Sequence, residues 1–98
     1  MKKDLQEILS KLRKLRPYIT QKYYVNSTEV FGSYVKNQQT DTSDLDVLIS
    51  YSKTPGLLKF LELKYYLTDN LNVNVDLVLK DSLKPEIRQH ILNESIKF

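Results

Sequence analysis

The stretch Val30 to Ser50, VFGSYVKNQQTDTSDLDVLIS, constrains the fold of this chain more than any other. An apolar run ends in Gly32-Ser33, and the polar segment from Lys36 to Asp44 carries no large hydrophobe. Asp44 and Asp46 then lead a second apolar run, Val47-Leu48-Ile49. This order predicts a strand, a tight turn with an exposed loop, and a second strand that opens with carboxylates. Side chains alternate across a strand, so Asp44 and Asp46 are expected on one face, one pleat apart, where both can reach one divalent cation. Gly32-Ser33 supplies a turn whose backbone N–H groups suit an anion. Carboxylates beside an anion-binding turn point to a metal-bound nucleoside triphosphate.

The flanking segments read as elements that support this hairpin. Leu5, Ile8, Leu9, Leu12 and Leu15 recur at helical spacing, which predicts a helix from about Lys3 to Arg16 that Pro17 ends. Tyr23-Tyr24-Val25 extends or precedes the first strand, whose clearest part is Glu29 to Phe31, and Asn26-Ser27 reads as a break. After the turn signal Thr54-Pro55-Gly56, a helix is expected over Leu57 to Leu71 with Leu57, Phe60, Leu61, Lys64, Leu67 and Leu71 near one face. Val73 to Leu79 alternates as a strand, with Asp76 its lone carboxylate. An unpaired carboxylate buried on such a strand is costly, and a metal shared with Asp44 and Asp46 would remove the cost. Pro85 opens a last short helix to Glu94, with Ile87, Ile91 and Ile96 expected inward. The pattern is α/β: a single domain over residues 1–98, built as a small mixed sheet with helices packed against it.

Composition removes several classes of function. No cysteine is present, which excludes disulfides, zinc–thiolate sites and a cysteine nucleophile. The apolar runs are only a few residues long, so neither a membrane span nor a signal peptide is expected, and the expected location is cytoplasmic. Net charge is +3, with six basic residues among positions 1–16 (Lys2, Lys3, Lys11, Arg13, Lys14, Arg16) against Asp4 and Glu7. A basic helix face can attract nucleic acid or an acidic partner, but no aromatic residue interleaves with these charges before Tyr18, and a solvated face is the simpler reading. His90, the single histidine, falls on the last helix away from the acids and reads as a surface residue.

Gly32-Ser33, the interval to Asp44, the Ser43-Asp44-x-Asp46 motif and a third acid, Asp76, on a later strand together resemble the DNA polymerase β-like nucleotidyltransferase superfamily, in its minimal (MNT) branch. The resemblance covers nearly the whole chain. It implies that Asp44, Asp46 and Asp76 are catalytic and hold two Mg²⁺ ions, and that Gly32, Ser33, Lys36 and Ser43 bind the nucleotide, with ATP as substrate. The family pattern Gly-Ser-x-Ala-Arg-Gly stands here as Gly32-Ser33-Tyr34-Val35-Lys36-Asn37. Lys36 keeps the charge without the planar fork of arginine. Asn37 stands where a glycine takes a left-handed conformation, which asparagine best tolerates among other residues. Ser43 is placed to hydrogen-bond local backbone and set the entry of Asp44.

The resemblance further implies an antitoxin that pairs with a HEPN-domain toxin as a hetero-oligomer and transfers AMP from ATP to a toxin tyrosine. The site elements take up about Glu29 to Lys80, leaving short flanking helices, so a protein acceptor with its own recognition surface is expected rather than nucleic acid. A binding module that keeps the fold and neutralises a partner without catalysis is the alternative.

Overall fold

The computed structural model describes residues 4–98. Strands β1 (Val25–Phe31), β2 (Leu45–Tyr51), β3 (Val75–Leu79) and a short β4 (Ile96–Lys97) form one mixed sheet in the order β3-β2-β1-β4. β1 runs antiparallel to both β2 and β4, whereas β2 and β3 are parallel. That parallel pair requires a crossover, and the helix Leu57–Leu71 (α2) provides it. The first helix (α1, Leu5–Tyr23) and α2 cover one face of the sheet, and the last helix (α3, Pro85–Asn93) closes the chain before β4. The mixed α/β architecture expected from the sequence is the one observed.

The core lies between α1, α2 and one face of the sheet. Ile8, Leu9, Leu12, Ile19 and Tyr23 of α1 and Leu63, Leu67 and Leu71 of α2 meet Val30, Leu45, Val47, Ile49, Val75 and Leu77. Alternation places Glu29, Asp46 and Leu48 on the opposite face, since Glu29 pairs with Leu48 and Leu48 lies between Val47 and Ile49. Leu48 is fully buried there, and Lys80, just after β3, reaches the same face to contact Glu29 and Ser27.

Four expectations are corrected. Pro17 does not end α1, which continues to Tyr23. Ile19 and Tyr23 are buried beyond it, and both Pro17 and Arg13 are exposed, so the carbonyl that loses its donor has water within reach. The start predicted at Lys3, like the charges of Lys2 and Lys3, lies outside the described residues. The break at Asn26-Ser27 is a register shift within β1, with Tyr23 closing α1 and Tyr24 capping it in the left-handed region at φ 59°. In α2 the inward stripe runs through Phe60, Leu63, Leu67 and Leu71, while Leu57 is exposed; at 100° per residue Leu61 points about a third of a turn away from Leu67. Ile87 is exposed rather than inward, and Ile96 belongs to β4, whose neighbour Phe98 is buried and bonds to Thr28 through both backbone groups.

Candidate active site

Because β1 runs against β2 and β3, the end of β1 and the starts of β2 and β3 meet at one end of the sheet. Across that end Phe31 pairs with Asp46, and Asp46 pairs with Asp76, in one row. Asp44, the residue before β2, and Asn74, the residue before β3, stand next to each other just outside the row. Three carboxylates separated by up to 32 positions in sequence are therefore brought to one place by topology.

Gly32 follows Phe31 and turns the chain away in one 3-10 turn, Gly32–Tyr34, with Val35 and Lys36 donating to the Gly32 carbonyl at 3.1 and 3.2 Å. Its φ is +80°, and a Cβ at this position would overlap Oδ2 of Asp46. Glycine is thus required twice, for its backbone conformation and for the close approach of the carboxylate. Asn37 takes φ 56°, the left-handed conformation expected where the family pattern has glycine. Ser43 closes the loop locally: its Oγ accepts from the Thr40 N–H at 2.8 Å, and its own N–H donates to the Thr40 carbonyl at 3.2 Å. Lys36 is directed to the end of α3, where its ammonium lies 3.3 Å from Glu94.

The burial of the acids is the reverse of the expected pattern. Asp76 is exposed, so burial on an apolar strand is not what calls for a cation there. β3 is the edge strand and opens Asp76 to water, whereas β2 is central and encloses Asp46 more fully. Burial first, then the charges of Asp76 and Asp44 and a hydrogen bond to Asp76, push the Asp46 carboxyl up to about 6. Asp44 is exposed and accepts a hydrogen bond from Asn74 Nδ2 on Oδ1 at 3.0 Å. Beside it opens a cavity of about 300 Å³ lined by Tyr34, the loop from Thr40 to Asp44 and the turn from Asn72 to Asn74. The Tyr34 hydroxyl is raised by burial and by the negative charges of Asp41 and Asp44. Tyr34 and Asn74 were not singled out from sequence; the period-two pattern that set Asn74 on the face of Asp76 was the available signal.

Among the described residues, no group of three or more His, Cys, Asp or Glu is arranged to hold a metal ion. Asp44 is held by Asn74 just outside the row that Asp46 and Asp76 share. The donor set nonetheless fits a hard divalent cation: every donor is a carboxylate oxygen, and the charges of Asp76 and Asp44, which add to burial in raising Asp46, are ones that a cation would offset. His90 is exposed on α3, 3.9 Å from Glu94 and apart from this row. No helix among the described residues is long and apolar enough to cross a membrane.

A strand–turn–strand unit with carboxylates in register against a glycine turn is the architecture of one class of transferase, and comparison with known proteins agrees. Residues 12–98 match the nucleotidyltransferase domain, and the chain belongs to that family; it is a nucleotidyltransferase. The protein adenylyltransferase MntA of Thermococcus cleftensis is 40% identical over 92 residues, covering 94% of this chain and 93% of that protein. A solved structure of a candidate minimal nucleotidyltransferase superposes with a TM-score of 0.85 at 28% identity, covering 98% of this chain and 97% of the other. A toxin–antitoxin crystal structure with AMP-PNP matches with a TM-score of 0.68 at 25% identity, over 94% of this chain and 69% of that one.

Proposed function

We propose that this protein transfers AMP from ATP to a tyrosine hydroxyl of a HEPN-domain toxin and serves as the antitoxin of that pair. The observation that carries this reading is the register of Asp46 with Asp76 against Gly32, which concentrates negative charge beside a turn fit for phosphates. The adenylyltransferase relative and the toxin–antitoxin complex with an ATP analogue support the nucleotide and the partner.

Asp44, Asp46 and Asp76 would hold Mg²⁺, which when bound supplies charge neutralisation and lowers the pKa of a coordinated hydroxyl. The Gly32-Ser33 turn cradles the outer phosphates with N–H and hydroxyl donors, where charge grows as pyrophosphate departs. Lys36 sits at the rim of that turn and exchanges Glu94 for a phosphate. Ser43 holds the loop that delivers Asp44. The tyrosine oxygen forms the new bond to the α-phosphorus, the α–β phosphoanhydride bond breaks, and pyrophosphate leaves with the electron pair. Asp76, open to solvent at the sheet edge, is the group that takes the hydroxyl proton. An adenylyl group on the toxin would add bulk and negative charge where an RNA backbone must enter, opposing its cleavage.

Incubation with the partner toxin, Mg²⁺ and ATP should add mass in units of AMP to a partner tyrosine and reduce RNA cleavage. An unmodified partner, with efficient transfer to RNA or a small alcohol instead, overturns the reading. A non-catalytic binding module is the second reading, favoured by the engagement of Lys36 with Glu94. Calorimetric titration of Mg²⁺-ATP separates the two, because a module that works only by covering its partner gains nothing from metal-dependent nucleotide affinity.

A further inference from the structure

We propose that Asn74 is the positioning residue of Asp44, setting the orientation of its carboxylate for the cation; this rests on the reading of Asp44 as a metal-holding residue. Asp44 is exposed and lies one residue outside β2, so neither strand pairing nor packing fixes its side chain. Its carboxylate accepts a hydrogen bond from Asn74 Nδ2 on Oδ1 at 3.0 Å. The backbone that carries this amide is itself held in place. The Leu45 N–H donates to the Asn74 carbonyl at 2.9 Å, which locks the start of β2 to the start of β3. The Val75 N–H donates to Thr68 Oγ1 at 3.1 Å, which ties the same point to α2.

The chemistry of the contact suits the task. A lysine or arginine here would neutralise Asp44 and compete with a cation for it, whereas a neutral amide directs one oxygen and leaves the negative charge intact. The amide binds Oδ1 and makes no bond to Oδ2, which keeps its lone pairs for a cation. Metal-holding carboxylates are commonly fixed in this way by a neighbouring donor, and removing the donor typically costs on the order of 10- to 100-fold in metal affinity.

The test is a Mn²⁺ titration of the full chain, followed by electron paramagnetic resonance of the free ion, on four proteins: wild type, N74A, D44A and the double variant. Asn74 is exposed and its backbone bonds do not depend on its side chain, so melting temperatures should agree within a few degrees. The expected result is that N74A weakens Mn²⁺ binding by about 10- to 100-fold in the wild-type background and has no effect once Asp44 is gone. An equal loss in both backgrounds, or full affinity in N74A where D44A is weakened, overturns the assignment of Asn74 alone. Unchanged affinity in D44A overturns it together with the reading on which it rests.

Discussion

A methyl group on Gly32 would occupy the space that the Asp46 carboxylate fills, and at φ +80° it would also strain the backbone. Gly32→Ala is therefore expected to move Asp46 out of its row with Asp76 and to abolish transfer. Its cost in stability should be only about 1–2 kcal/mol, the penalty of a left-handed residue. Nucleotide incorporation measured beside a melting curve checks both halves of that expectation. Asp46 itself gives a pH-dependent prediction. Its pKa is 3.8 as a free side chain and about 6 in the folded protein, so the folded state binds more protons across that window. Without metal, stability should then rise as pH falls from about 6 toward 4, and this contribution is lost above pH 6. Asp46→Asn should melt higher than wild type at pH 7.5 in EDTA and lose that advantage near pH 4. Discounted for solvent screening, the gain at pH 7.5 is on the order of 1 kcal/mol, or roughly 4–8 °C in a domain of this size. A wild-type melting temperature that is flat between pH 7.5 and pH 4.5 would contradict the argument.

Among the elements, α2 was legible to its ends, because Gly56 and Asn72 bracket an apolar period of 3.6. The end of α1 was not, because local sequence speaks only of the lost hydrogen bond at Pro17, whereas the burial of Ile19 and Tyr23 is settled by the sheet they meet. The short β4 escaped notice for a related reason: Ile96-Lys97 carries no pattern of its own and is a strand only because β1 offers it an edge. The proline makes a test. If α1 tolerates Pro17 through packing, Pro17→Ala should stabilise the protein by on the order of 1–3 kcal/mol, as a helix-interior proline is replaced by the best helix former. Thermal denaturation would read this directly, and a lowered melting temperature would mean that the proline serves the packing of α1. The glycine turn and the strands on which Asp46 and Asp76 lie were legible because order and spacing survive in one dimension. Which acid would be buried was not, since that depends on β2 being central and β3 lying at the edge.

At the scale of the whole molecule, the face of the sheet that carries Asp46 is closed farther along by Lys80. Its ammonium lies 3.0 Å from Glu29 Oε1 and donates to Ser27 Oγ at 2.8 Å, while the other Glu29 oxygen is buried without a hydrogen-bond partner. The two side chains are only 17% and 7% exposed, so removing one charge strands the other. Lys80→Met is expected to destabilise the protein by about 3–5 kcal/mol, and adding Glu29→Gln should restore much of the loss. Urea midpoints for the two single variants and the double variant test this; a Lys80→Met protein as stable as wild type would show that the pair contributes nothing. The parallel pairing of β2 with β3 has a further consequence, in time. Asp46 and Asp76 stand 30 positions apart, and their strands can pair only after α2 has crossed over between them. At about 5–20 residues per second, a ribosome takes roughly 2–6 s to pass from one aspartate to the other. Throughout that interval the chain has the sequence of its glycine turn and of Asp44 and Asp46 but not yet that of β3, so each newly made molecule spends its first seconds without the row in which Asp46 meets Asp76.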